Sequence, residues 1–493
     1  MVRWVVVALF ACNGDKDGKG QGEVSDVAFT PGAVTGTGTV TFATDLGGEA
    51  VAMHSLDDGE TWIASAPVDA AAGEIPVIGL RVASTLQLKV VVTDGGDAAE
   101  SEPIEVDTEP PPEGTAPFQL TRWQPEASCL DGGYVLFSTI SQRGSNLGIL
   151  DRDGKYVWAY ANDAADTLIG RVRPGRDGRT VLWNVAHDDR VDDLAYVYRM
   201  QLDGSGRTET RTLNGHHDFV ELPDETTIAW LGYDFEDLAL ADLGTSDPDP
   251  VAVDTIHEGP EGLAVAEDAV EVWNMLDPAD WPYGITVSGP EMEKCPTVPD
   301  ADPGFLPGSC EYSHGNSLAY LPEDDAYLAM FRWLDALVKV DRASGEVVWV
   351  FGGTYDMFTG ADADRFVHGH FSDAWKDEQG LLHVLIVDNH DADSGEPQED
   401  SKYTEFVLDE AAMTFERTWV YQSDKFESLL GDIRRIPLEG CDHLLISFSA
   451  QGRMVEMTRA GDIVWDVGLP LGNVTSRVHF LADLYDFTGV AYP

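Results

Sequence analysis

The chain has 493 residues, with 31 basic against 87 acidic side chains and a formal net charge of −56. That length exceeds one ordinary core, so two or more domains are expected. The acidity argues against nucleic acid, whose phosphates need a cationic footprint, and against a polybasic membrane patch. Any site for an anion then has to be a local island of Arg and His in a repulsive surface.

Residues 1–12 carry Arg3, a short apolar run from Trp4 to Ala11, and Cys12. The run is too short to cross a bilayer but suits the core of a signal peptide. Leu9-Phe10-Ala11-Cys12 resembles a bacterial lipobox. Cys12 is therefore expected to be lipidated, in an exported periplasmic or cell-surface lipoprotein that meets the membrane only through that lipid. Residues 13–23 lack apolar side chains and suit a flexible tether.

Residues 24–108 read as a small all-β domain. Thr39-Val40-Thr41-Phe42 and Leu86 to Thr93 alternate, and Asp57-Asp58-Gly59 marks a turn. Short strands with turns at this spacing predict an immunoglobulin-like sandwich. His54, the lone histidine here, is expected on a strand surface. Residues 109–114, Glu109-Pro110-Pro111-Pro112-Glu113-Gly114, form a stiff linker.

Residues 115–493 contain a repeat. Asp153-Gly154-Lys155-Tyr156-Val157-Trp158 is echoed at Ser344-Gly345-Glu346-Val347-Val348-Trp349 and at Ala460-Gly461-Asp462-Ile463-Val464-Trp465. Each is a glycine turn followed by a strand ending in Trp, and the spacings are multiples of roughly 60 residues. With weaker copies between them, the pattern predicts six blades of a β-propeller, the tryptophans packing between blades.

If Cys12 carries lipid, four cysteines remain: Cys129, Cys295, Cys310 and Cys441. An even number in an exported chain suggests disulfides. Cys295 and Cys310 flank a Pro/Asp/Gly-rich loop and are the expected pair, a closure that would contribute about 3 kcal/mol. Cys129 and Cys441 are left over and could join the ends of the large domain. No two cysteines have zinc-ligand spacing, and no metal or cofactor is expected.

Three predicted blades open with histidine: Gly215-His216-His217-Asp218, His314-Gly315-Asn316-Ser317 and Val367-His368-Gly369-His370. Equivalent innermost strands of a propeller converge on its central channel, so these histidines are expected together there. Arg332 lies in Met330-Phe331-Arg332-Trp333, read as a strand, where a cation needs an anionic partner.

The phased histidines with Asn316 and the downstream Arg332 resemble bacterial arylsulfate sulfotransferases. That resemblance implies a small N-terminal β domain before a six-bladed propeller. It also implies transfer of a sulfuryl group from an aryl sulfate donor to a phenolic acceptor through a sulfated histidine, without a nucleotide donor. His217 and His314 match the family's substrate-binding histidines, and Asn316 and Arg332 its other sulfate-contacting groups. The family's nucleophile sits in a Gln-His-Asp-Ala context before a strand ending Asp-Asn, here Asp388-Asn389. Strict spacing from Asp373-Ala374 puts Ser372 in its place. A two-residue displacement makes His370 the nucleophile, with His368 second and on the same strand face if the stretch is regular. The rival reading is a lipid-anchored propeller that only binds a sulfated or other anionic ligand, or a protein partner.

Overall fold

A computed structural model describes residues 22–130, 132–141, 144–161, 167–187, 195–238, 249–275, 310–311, 313–390, 400–427 and 430–487. Among these, extended structure is entirely β, and helix is confined to single 3-10 turns.

The N-terminal part builds two sheets. Val24–Pro31, Thr37–Thr44 and Glu74–Ile78 form one; Glu49–Ser55 and Thr85–Asp94, with shorter edge strands, form the other. Alternation at Leu86, Leu88, Val90 and Val92 turns one face of the second sheet toward Val40, Phe42 and Ile75 of the first, and a shared core results. His54 corrects the surface expectation: it is 7% exposed. Its neighbours Ala50 and Ala52 are small, so the sheet closes over the imidazole, and burial, with Arg81 adding to it, pushes its pKa down to about 4. These sheets contact the larger part directly. Arg81 pairs with Asp151 at 2.6 Å and Asp153 at 2.5 Å, and Val82 N donates to Tyr156 O.

Among the described residues the larger part contains six sheets of four or five strands, antiparallel except where Cys310–Glu311 pairs in parallel with Asp249–Pro260. Six strands carry the argument: β1 (Thr167–Pro174), β2 (Gly215–Glu221), β3 (Gly315–Leu321), β4 (Gly369–Lys376), β5 (Asp432–Arg435) and β6 (Asn473–Leu481). Each lies at one edge of its sheet. Each packs on the next, and β6 packs back on β1, so the six close a ring. The ring closes in sequence as well: β6, near the C-terminus, pairs with Tyr134–Ser141, while Gln119–Trp123 adds an outer strand to the sheet that starts with β5.

The repeated tryptophans join one sheet to the next. Trp158, Trp349 and Trp465 are each at most 1% exposed. Trp158 Nε1 donates to Leu202 O, Trp349 Nε1 to Glu410 Oε1, Trp419 Nε1 to Arg459 O and Trp465 Nε1 to Arg152 O. Every acceptor lies in the turn between the third and fourth strands of the following sheet. Burying each indole removes on the order of 200 Å² from water, roughly 5 kcal/mol before entropy, and the N–H bond keeps its polar end satisfied.

Among the described residues Cys129 and Cys441 form a disulfide, with Cα atoms 6.1 Å apart. It ties the segment after Gln119–Trp123 to the last sheet, across the ring closure. The expected Cys295–Cys310 bond, Cys12 and the tether fall at least in part outside the described residues.

Candidate functional site

His217, His314 and His368 belong to three consecutive sheets, and each has a left-handed backbone, with φ of 44°, 54° and 51°. That conformation costs a non-glycine residue on the order of 1 kcal/mol. His217 sits at the register shift of β2 between His216 and Phe219, whereas His314 and His368 stand immediately before β3 and β4, each of which has a register shift further along. Gly315 follows His314 because a Cβ there would come within 2.3 Å of Asp254 Oδ1.

The rings meet. The His217 and His314 centroids are 4.8 Å apart, His314 and Trp333 5.5 Å, and Trp333 and His368 5.0 Å. Arg332 lies over the Trp333 ring at 4.7 Å. Its place corrects the strand expectation: the strand ends at Phe331, and Arg332 begins the turn that leads to Asp335. Its N–H donates to His314 O at 3.0 Å, so the turn is fastened to the neighbouring histidine. A half-buried turn explains how the cation is tolerated beside so many apolar residues.

His217 is coupled to a second histidine. His216 Nδ1 and His217 Nδ1 are 2.9 Å apart, so one donates and the other accepts. His216 stacks on Tyr233 at 3.6 Å. Its Nε2 lies 3.1 Å from Asp254 Oδ1 but off hydrogen-bonding geometry. The other Asp254 oxygen accepts from Ser313 Oγ and from Gly315 N. One buried carboxylate thus holds the histidine pair of β2 and the His314 segment of β3.

His370 lies in β4 and is 3% exposed. Its Nδ1 is 2.6 Å from Asn389 Oδ1. Asn389 Nδ2 donates to Glu427 O at 2.8 Å and Leu430 O at 3.2 Å. Two carbonyl acceptors fix the amide's orientation, so its oxygen faces His370, Nδ1 carries the ring proton, and Nε2 keeps its lone pair. Burial, then the nearby Arg171 and Arg332, hold the His370 pKa well below the ordinary histidine value. The imidazole is neutral at physiological pH.

His368 is 1% exposed and its N–H donates to Asp335 Oδ1 at 2.6 Å. The condition for it to share a face with His370, a regular strand, fails: His368 precedes β4 and its φ is left-handed, so its ring meets Trp333 while that of His370 meets Asn389. Asn316 is buried; its Nδ2 donates to Gly369 O at 2.9 Å and its Oδ1 accepts from Ser317 Oγ. One face of its amide therefore ties β3 to β4.

Sequence reading missed Arg171, whose Nη2 donates to Asn316 O and whose charge reaches His370. The signal was present in Gly170-Arg171-Val172-Arg173, where two arginines alternate in an otherwise apolar strand. It also missed Trp333 and Asp254, which carry no motif of their own.

A family model described as Arylsulfotransferase (ASST) matches residues 124–464. No curated protein matches the chain in sequence. Similar solved structures include a putative 6-phosphogluconolactonase from Bacteroides fragilis, 12% identical over 72% of this chain and 99% of that one, with a TM-score of 0.38. The β-propeller domain of Cps50 (Swd1) from Myceliophteria thermophila is 12% identical over 73% and 95%, with a TM-score of 0.37. TolB from Acinetobacter baumannii is 11% identical over 82% and 80%, also with a TM-score of 0.37.

Proposed function

The chain belongs to the arylsulfotransferase family, and from that premise we propose that it moves a sulfuryl group from an aryl sulfate to a phenol in two half-reactions, with His370 as the carrier. The observation that carries the assignment is the fixed polarity of Asn389, which leaves Nε2 of a neutral His370 with its lone pair.

In the first half-reaction Nε2 attacks sulfur, an N–S bond forms, and the S–O bond to the aryl group breaks. The departing phenoxide takes a proton from His217 or His314. In the second, the acceptor phenol gives its proton to that histidine, its oxygen attacks sulfur, and the N–S bond breaks to restore His370. Arg332 offers a planar fork to the sulfate oxygens, and the second amide N–H of Asn316 adds a neutral donor. Arg171 supplies further positive potential as charge spreads over the equatorial oxygens. His368, packed on Trp333, shapes the aryl side of the site.

The closed ring of six sheets supports a six-bladed propeller over residues 115–493. The two-sheet N-terminal core supports an immunoglobulin-like domain over 24–108, with 109–114 as linker. Export as a lipoprotein through Cys12 rests on the Leu9-Phe10-Ala11-Cys12 segment. Mass spectrometry of the mature protein should find a diacylglyceryl-modified Cys12 as its first residue; an intact Met1 ahead of an unmodified Cys12 would refute it.

Incubation with a chromogenic aryl sulfate alone should release one phenol per chain and leave one sulfuryl group on His370; added phenol should restore turnover. His370→Ala should abolish both adduct and turnover. A label on His368 would move the nucleophile by two residues. No labelled histidine together with no transfer would favour a propeller that only binds its anion.

A further inference from the structure

One layer further along the ring strands from the histidines lies a second cationic cluster. Arg171 donates to Asn316 O, whereas Arg173, two residues on, donates to Leu318 O, two residues on along β3. Arg173 is joined by Asp218 of β2, Asp432 and Arg434 of β5, and Arg477 of β6. With Arg171 these six side chains are at most 4% exposed. Four guanidinium groups thus face two carboxylates at the centre of the ring.

Both carboxylates are fully engaged. Asp218 Oδ1 accepts from Arg173 Nη2 at 3.1 Å and from Phe219 N, and Oδ2 from Arg477 Nη2 at 2.7 Å and from Leu318 N. Asp432 Oδ1 accepts from Arg477 Nη1 at 2.9 Å, and Oδ2 from Arg434 Nε at 3.0 Å and Val478 N at 2.8 Å. Burial pushes the Asp218 pKa up, but Arg173, Arg477 and Arg171 pull it down to about 2, so it is an anion at neutral pH. Arg173 Nε and Nη1, Arg434 Nη2 and Arg477 Nε remain buried donors without a partner. Arg434 lies close enough to Arg173 for their charges to act on each other, and both act on His479. Burial holds that histidine's pKa well below its usual value, so it adds no charge.

Buried N–H groups can be satisfied by water, but water cannot neutralise two surplus positive charges in a low-dielectric core. The donors left over are of the kind that bind anions, and two of them belong to one guanidinium. We propose that Arg173 and Arg434 hold a small inorganic anion, a halide or a tetrahedral oxyanion, at the centre of the ring, one layer away from the reacting histidines. It offsets surplus positive charge at the centre of the ring and takes no part in the transfer.

Crystals of the intact protein soaked separately in bromide and in selenate test this by anomalous diffraction. A peak between Arg173 and Arg434 with bromide assigns a halide, and one with selenate assigns an oxyanion. Selenate at Arg332 would be a different site. Thermal midpoints at constant ionic strength should rise in millimolar chloride or sulfate, whichever matches the peak, relative to gluconate. Arg434→Gln should abolish that rise, and because the diffraction arm uses the wild-type chain, a misfolded variant does not spoil the test. No peak with either anion, and midpoints equal in all three salts, would overturn the proposal in favour of ordered water.

Discussion

At His370 two effects act in the same direction. Burial disfavours the imidazolium, and the guanidinium groups of Arg171 and Arg332 repel it, so the pKa falls well below that of a free histidine. The Asn389 contact works against them but more weakly, since a neutral amide oxygen stabilises a cation less than a carboxylate would. For the nucleophile proposed here the sign matters: the free base persists as pH falls. The rate of the sulfation half-reaction should therefore stay level through pH 6.5 and decline only well below it. Stopped-flow release of phenol against pH checks this, and half of the rate lost at pH 6.5 would contradict it. In Asn389→Ala the ring proton is no longer held on Nδ1, so the half-reaction should slow by about 10-fold or more with KM nearly unchanged. The type and rough grouping of these residues could be read in the sequence, because histidines open three of the repeated units and one of those units ends in Asp388-Asn389. The pairing of His370 with Asn389 could not, since the two sit on adjacent strands of one sheet and their contact depends on the register between them.

The strands were legible for a simple reason. Alternation in Leu86–Val92, cut by the Asp94-Gly95 turn, and the short apolar run Ala326–Phe331, bounded by Glu323-Asp324-Asp325, favour antiparallel hairpins. The repeated Trp gave the sheet-to-sheet spacing, and the turns that receive its N–H are the turns that repeat beside it. Irregular points were not legible. Regular alternation would place Arg332 in a strand and His368 beside His370, whereas left-handed residues at the ring entrances break both inferences. Ring closure was also hidden, because it joins segments from opposite ends of the chain. Nearness in sequence pointed to Cys295 with Cys310, a pair that lies partly outside the described residues, while the leftover pair Cys129–Cys441, 312 positions apart in sequence, is bonded. A cross-link over so long a loop restricts the unfolded chain strongly, by up to about 5 kcal/mol in the chain-entropy account. Replacing both cysteines by Ala should lower the thermal midpoint by several degrees and leave the reaction site's kinetics near wild type. An unchanged midpoint would mean that the pairing of Gln119–Trp123 with Ile463–Gly468 closes the ring unaided.

Over the whole molecule, a net charge of −56 surrounds a ring whose centre is cationic. A net charge of this size repels an anion in general, so binding one depends on the local cluster of Arg and His at the centre of the ring. The same distribution sets the response to acid. Burial holds both His54 and His257 down to about 4, with Arg81 assisting at His54, and His216 at His257 against the opposing pull of Asp234. The unfolded chain binds a proton at each near pH 6.5, and the fold refuses it until about pH 4. Between those limits the unfolded state holds more protons, so stability falls as pH falls, by about 1.4 kcal/mol per pH unit for each such group. Protonation of surface carboxylates works the other way by relieving repulsion, but most of it begins lower, near their ordinary pKa of about 4. The window from pH 6.5 to 5 therefore isolates the histidines. Urea midpoints measured across it should fall steadily with acidification, and His54→Leu should reduce the slope by one group's share for whatever unit unfolds with the N-terminal sheets. His370 and His479, also held low by burial, add to the same slope, so a midpoint independent of pH over that window would mean that these buried imidazoles take up protons in the folded state.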